Sequence, residues 1–248
     1  GGCELAQGCH YRVGDASAKF GLPEINLGLL PGAGGTQRLP RLIGIAAALD
    51  VILSGEFVDA ERARDMGFLD AIVSGNLAQG AITFARQLIA DGKSVRPVRQ
   101  MKIDASGAVE IFAAARKKTA RRARGLIAPE RCIAAVESAV SGSLEQGLAL
   151  ERRYFDELVQ SDQSYAQRHL FFARRQAHKV PGVGADTRSR VIRAAAVVGC
   201  GTMGRGITMA LANGDIPVTV LEANREALDT GLKLMRDTYA GSVKRGSL

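Results

Sequence analysis

Apolar and polar positions along the chain change period several times, and each change marks an element. Leu77 to Ala90 places Leu77, Ala81, Phe84, Ala85, Leu88 and Ile89 on one helical face, which predicts an amphipathic helix. Ile45 to Leu53 is a run of small and aliphatic residues ahead of Gly55, a helix with a glycine stop. Asp59 can cap a second helix ending near Met66-Gly67, and Phe68 to Val73 reads as a strand. The first 30 residues alternate a short helix, Cys3 to His10, with apolar extended segments. Gly32-Ala33-Gly34-Gly35 forms a flexible turn that positions Thr36 to N-cap the next helix.

Asp91-Gly92-Lys93-Ser94 and Pro97 interrupt the periodicity and mark a boundary. The pattern beyond it is helical. Pro129 sits at the first turn of a helix over Glu130 to Val140. Ser143 and Gln146 have capping-box spacing ahead of a stripe of Leu144, Leu148, Phe155 and Leu158. Ser161-Asp162 starts another helix, whose Leu170-Phe171-Phe172 reads as a packing core. Lys179 to Ser189, with Pro181, Gly182 and Gly184, is a loop or linker. At Arg193 the register changes. Ala194 to Val198 is a buried-strand run, a helix follows to Asn213-Gly214, and Pro217 to Leu221 forms a second strand ended by Glu222.

Composition narrows the function. The chain of 248 residues is 46% hydrophobic, enough for a sizeable core, and no stretch reaches the roughly 20 apolar residues of a membrane span. Cys3, Cys9, Cys132 and Cys200 have no CxxC spacing and no histidine partners, so they read as reduced thiols in a cytosol-like compartment. His10, His169 and His178 are scattered, and no metal motif is visible. The net charge of +8 is concentrated between Lys93 and Arg124, with ten Lys or Arg against two acids. Nucleic acid is disfavoured as its partner, because aromatics are only 5% and none interleaves with the densest run, Arg116-Lys117-Lys118 and Arg121-Arg122-Ala123-Arg124. A phosphate-bearing substrate fits better, beside a purely solvated helix face.

Two stretches carry candidate chemistry. Glu24 follows Pro23 in an apolar, glycine-rich segment, and Glu4 stands in a similar setting 20 residues earlier. Poorly solvated carboxylates are suited to acid/base work, because burial pushes their pKa toward neutrality. Glu4 near a helix start can equally serve the helix dipole. The second stretch is Gly199-Cys200-Gly201-Thr202-Met203-Gly204, which follows a strand, opens a helix and has Glu222 about 20 residues on. This is the dinucleotide-binding fingerprint. Gly199, Gly201 and Gly204, with Thr202 and Met203, would receive the pyrophosphate, and Glu222 would hold the adenosine ribose, favouring NAD over NADP.

At Gly1-Gly2-Cys3-Glu4-Leu5-Ala6, Phe20-Gly21-Leu22-Pro23-Glu24-Ile25, Pro31 to Arg38 and Ala63 to Gly67, the chain resembles the enoyl-CoA hydratase/isomerase (crotonase) family. From Ala195 to Glu222 it is similar to the NAD-binding start of 3-hydroxyacyl-CoA dehydrogenases, and Glu151-Arg152 to Phe155 with Leu170 to Ala173 is similar to the connector between them. That order is found in multifunctional fatty-acid β-oxidation enzymes. The implied fold class is α/β: residues 1–94 as the C-terminal part of a crotonase-like domain, 95–190 as a helical connector, and 191–248 as the first βαβ of a Rossmann domain.

The resemblance implies a 2-enoyl-CoA substrate, with Glu4 and Glu24 holding the water that adds to it. Glu24 would exchange protons at the α and β carbons, and would also serve a 3-enoyl to 2-enoyl shift. Gly1 matches one of two backbone donors to the thioester oxyanion. NAD is the implied cofactor, and self-association or a thiolase the implied partner. The chain reads as incomplete at both ends, with half of each site present and no activity of its own expected. A cytoplasmic, bacterial-type compartment is expected, with peroxisome and mitochondrion as alternatives. The competing readings are a non-catalytic NAD- or nucleic-acid-binding module and an isomerase joined to a degenerate dehydrogenase.

Overall fold

In the computed structural model of the chain, Gly44, at φ +81°, turns the backbone between two helices, α2 (Gly35–Ile43) and α3 (Ile45–Ser54). The described residues are 1–184, 186–188, 190–244 and 246. Ala185 and Ser189 of the expected linker, and Arg245, Ser247 and Leu248, lie outside them. The chain divides into two units, Gly1–Val180 and Pro181–Leu248.

In the first unit, α1 (Gly2–Gln7) precedes β1 (Val13–Asp15) and β2 (Lys19–Phe20), and a 3-10 turn over Pro23–Leu27 leads toward α2. Beyond α3 come β3 (Val58–Asp59), α4 (Ala60–Asp65), β4 (Ala71–Val73) and α5 (Leu77–Ala90). Strand β1 pairs in parallel with β4, Val13 opposite Ala71, while β2 and β3 pair antiparallel, Phe20 opposite Val58. Four further helices follow: α6 (Ala108–Arg122), α7 (Ala128–Ser141), α8 (Leu144–Val159) and α9 (Asp162–Ala177). Helix α7 lies against α2 and α3, and Leu22, Leu30, Leu39, Ile52, Ile133 and Leu158 fill the space between these elements. The core therefore draws on residues from both sides of Pro97.

Several local expectations hold for the reasons given. Gly55 closes α3 in the left-handed conformation, and Asp59 caps α4 by accepting the Arg62 N–H. Ser143 and Gln146 form a reciprocal capping box on α8. Others differ. Helix α1 ends at Gln7 rather than His10, because the Gly8 and Cys9 N–H groups turn back tightly to Leu5 and Ala6. The expected strand 68–73 shrinks to Ala71–Val73, since Phe68 and Leu69 donate to the Ala63 carbonyl and finish the α4 turn. Thr36 is not an N-cap. Gly34, at φ +95°, takes that position, and Thr36 lies inside the helix. The amphipathic helix α5 covers the small β1–β4 sheet without burying any residue fully.

Leu170-Phe171-Phe172 is not a packing core. Phe172 is 65% exposed and Leu170 58%. Helix α9 instead packs through its small face, where Ser164 comes so close to Gly28 that a Cβ there would meet the Ser164 backbone. The Ser164 hydroxyl donates to the Leu27 carbonyl at 2.8 Å.

The second unit pairs β5 (Ala195–Val198) in parallel with β6 (Val218–Leu221), joined through α10 (Thr202–Asn213) and followed by α11 (Arg225–Lys244). Only Val197 of β5 is buried, beneath α10, while Val198 is 80% exposed on the opposite face. The strand expected to be buried is thus covered on one side.

Candidate functional sites

The first site gathers around the glycine-rich turn ahead of α2. Four consecutive N–H groups there have no helical partner of their own. Glu4, buried in the first turn of α1, accepts two of them on Oε1: Ala33 at 2.8 Å and Gly35 at 3.0 Å. The other two go to a second carboxylate, Glu151 of α8, which accepts Gly34 at 2.6 Å and Thr36 at 3.0 Å. The Thr36 hydroxyl adds a third bond to Glu151, at 2.5 Å. Negative groups at a helix N-terminus are favoured electrostatically, and here each also satisfies backbone donors.

Glu24 stands in the 3-10 turn, half-buried, with a buried Oε2 that has no hydrogen-bond partner. Burial raises its pKa, and the Glu4 charge adds to the rise. The structure therefore brings the two predicted carboxylates into one electrostatic neighbourhood with unequal surroundings. One is held by two amides, and the other has an oxygen free to exchange a proton. Gly1 lies at the N-cap of α1, its nitrogen 3.9 Å from Glu4 Oε2. The Cys3 thiol beside this group is raised by burial, with smaller contributions from Glu4 and Glu24, and is a poor nucleophile.

Glu151 was not foreseen as a site residue. Burial pushes its pKa up to about 7, against the lowering effect of its three hydrogen bonds. A signal for it did exist: it is the one acid within the stripe of Leu144, Leu148, Phe155 and Leu158.

The densest part of the basic run, Arg116 to Arg124, lies largely on α6. Arg116 joins Glu130 at 2.9 Å and Glu137 at 2.7 Å, both on α7, and Lys118 joins Asp50 of α3 at 3.2 Å. Part of the run therefore fastens α6 to its neighbours. Among the described residues no group of three or more His, Cys, Asp or Glu is placed to hold a metal ion, and no helix is long and apolar enough to cross a membrane.

In the second unit, Gly199, at φ +97°, turns the chain from β5 into α10. A Cβ on Gly204 would collide with the Gly199 carbonyl, so this glycine permits the close approach of helix and strand. Gly201 is the N-cap of α10 and offers no side-chain bond to its first turn, leaving Thr202 and Met203 amides at an uncapped helix start. Around Gly201 a Cβ would meet nothing within 4 Å. Glu222 Oε2 accepts the Cys200 N–H at 2.7 Å and Oε1 the Ala223 N–H at 2.9 Å, bonds that lower its pKa. Its oxygens keep lone pairs for hydroxyl donors. Cys200, Gly201, Arg205, Glu222, Asn224 and Thr230 line a concavity of about 420 Å³. An open cradle of amides followed by an ionised acid fits a dinucleotide.

Residues 1–124, half of the chain, match the enoyl-CoA hydratase/isomerase family. The chain belongs to that family. Residues 194–248 match the NAD binding domain of 3-hydroxyacyl-CoA dehydrogenase, so the hydratase/isomerase region is followed by a Rossmann segment in one α/β chain. The peroxisomal bifunctional enzyme of Homo sapiens is 41% identical over 240 residues, covering 95% of this chain and 33% of that protein. Its Danio rerio counterpart is 39% identical over 251 residues, covering 99% and 35%. The peroxisomal fatty acid beta-oxidation multifunctional protein MFP2 of Arabidopsis thaliana is 36% identical over 253 residues, covering 100% and 35%. The chain spans about a third of the length of these relatives. Glu4 and Glu24 fall inside the hydratase/isomerase match, while Glu151 lies outside both matched regions.

Proposed function

We propose that the full-length protein is a bifunctional β-oxidation enzyme that hydrates 2-enoyl-CoA and oxidises the resulting 3-hydroxyacyl-CoA with NAD. The observation that carries the first half is the unequal pair of carboxylates, Glu4 held by two amides and Glu24 raised by burial with an unpartnered oxygen. In this reading Glu24 gives a proton to the α carbon. The water oxygen, oriented by Glu4, bonds to the β carbon as Glu4 takes its proton. Proton exchange between the two acids then restores the starting state. The Gly1 N–H stabilises the charge that develops on the thioester oxygen. Because Glu24 alone can move a proton between carbons, a 3-enoyl to 2-enoyl shift is a further activity of the same site.

For the second half, the amides around Gly199, Gly201, Thr202, Met203 and Gly204 would hold the NAD pyrophosphate, and Glu222 its ribose. The cofactor would supply the hydride acceptor. We assign residues 1–94, 95–190 and 191–248 to hydratase/isomerase module, connector and NAD-binding segment. Self-association, or association with a thiolase, is part of the same proposal. The cytoplasmic compartment expected from the sequence stands beside the peroxisome named for the relatives.

The test is hydration of a short 2-enoyl-CoA by the full-length protein, wild type beside Glu4→Gln and Glu24→Gln. Losses of several orders of magnitude, with NADH formation from 3-hydroxyacyl-CoA preserved, are the expected result. Unaltered hydration in both variants would refute the paired-carboxylate reading.

A further inference from the structure

Helix α8 approaches the glycine-rich turn with a stripe at four-residue spacing, Gly147, Glu151 and Phe155. A Cβ on Gly147 would fall on the Gln37 side chain, so this glycine lets α8 close onto α2. At the other end, the Phe155 ring occupies the space a Cβ on Gly32 would need. Between them Glu151 is only 1% exposed and takes the Gly34 and Thr36 amides and the Thr36 hydroxyl. Among the described residues no cation forms an ion pair with it.

An unpaired carboxylate is a poor choice for mere filling of a helix interface, because its charge is costly to bury. Its value here lies in the alternation of the four amides. The planes that present Ala33 and Gly35 to Glu4 are linked to the planes that present Gly34 and Thr36 to Glu151. Three of the residues from Gly32 to Gly35 are glycines, so the backbone has little steric restraint of its own. Fixing alternate planes through Glu151 removes that freedom and so fixes the two donors that Glu4 accepts.

We infer that Glu151 is a positioning residue for the hydratase site: by clamping Gly34 and Thr36 it holds the Ala33 and Gly35 amides, and through them Glu4, in the geometry that hydration requires. This rests on the paired-carboxylate reading above. Glu151 does not touch the reacting atoms. Its loss misplaces Glu4 and leaves the binding of the CoA portion untouched. A displacement of about 1 Å at a catalytic group costs on the order of 100-fold in rate.

The experiment uses the full-length protein and 2-enoyl-CoA hydration. Glu151→Gln places an NH₂ group against donors and is expected to lower kcat about 10- to 100-fold at an unchanged KM. NAD-dependent oxidation of 3-hydroxyacyl-CoA, measured on the same preparation, stays at the wild-type rate. Thr36→Val, which removes only the hydroxyl donor, lowers kcat in the same direction, and Thr36→Ser restores it. Hydration within two-fold of wild type in both Glu151→Gln and Thr36→Val overturns the inference. An equal fall in hydration and oxidation also overturns it, since that is the signature of a general folding role. Glu4→Gln and Glu24→Gln run alongside separate the two levels. If they abolish hydration while Glu151→Gln and Thr36→Val both leave it within two-fold of wild type, the positioning role fails alone. If neither affects hydration, the paired-carboxylate reading has failed and the positioning role with it.

Discussion

Gly204 faces the carbonyl of Gly199 across the start of α10, so closely that no side chain fits between them. Gly204→Ala must push α10 away from β5, and overpacking of this kind costs about 1–3 kcal/mol. The expected outcome is a lower unfolding midpoint for the Rossmann segment together with loss of NAD binding. Gly201→Ala separates these effects. A Cβ there meets nothing within 4 Å, and the backbone is extended. Stability should stay within about 0.5 kcal/mol of wild type. NADH titration of the full-length protein should nevertheless weaken, because the methyl group obstructs the approach of the pyrophosphate. Equal affinity in Gly201→Ala and wild type would argue against a pyrophosphate at this turn.

Arg116 serves two acids of α7 at once, Glu130 and Glu137, which raise its pKa further. The guanidinium is more than a third exposed, so solvent screens much of this interaction. Replacement by Ala should cost about 1 kcal/mol, less in concentrated salt. Urea unfolding at low and high ionic strength would show it. A cost that is independent of salt would point to lost packing of the aliphatic stem instead.

The two faces of α9 should respond in opposite ways. Phe172 is largely exposed, and Phe172→Ser is expected to change the stability of the isolated chain by no more than about 0.5 kcal/mol. Ser164 is fully buried against Gly28 and the Leu27 carbonyl. Ser164→Leu should cost about 1–3 kcal/mol by overpacking that contact. Thermal unfolding of the two variants would decide between this arrangement and a helix packed through its aromatic residues.

The same comparison shows where sequence reasoning reaches and where it stops. Gly55, Asp59 and the Ser143–Gln146 pair act on atoms within a few residues of themselves, and their helix ends were readable from spacing alone. Glu24 stood out because an acid in an apolar, glycine-rich stretch is conspicuous. Glu151 meets its partners across 115 to 117 residues, and no local pattern reveals which donors an acid on α8 will find. Thr36 failed as a cap for the same reason, since its hydroxyl is committed to that distant carboxylate. On α9, a hydrophobicity pattern favours the bulky face, whereas close approach to the 3-10 turn requires a small one.

Glu151 also leaves a thermodynamic signature that is independent of catalysis. Burial raises its pKa from the ordinary 4.5 to about 7 in the folded chain. Below about pH 4.5 the folded and unfolded states both carry the proton, and the group contributes no pH dependence. Between that value and about pH 7 the folded state keeps a proton that the unfolded state has released, so stability falls as the pH rises. Above about pH 7 the loss is complete, on the order of 3 kcal/mol at about 1.4 kcal/mol per pKa unit. Glu24 is raised by burial too and acts in the same direction, so the informative comparison is between variants. Urea unfolding of wild type and Glu151→Gln near pH 5 and near pH 8 should show a smaller decline in the variant. Parallel declines would mean that the three donors from Gly34 and Thr36 hold Glu151 ionised throughout, with hydrogen bonding outweighing burial at this site.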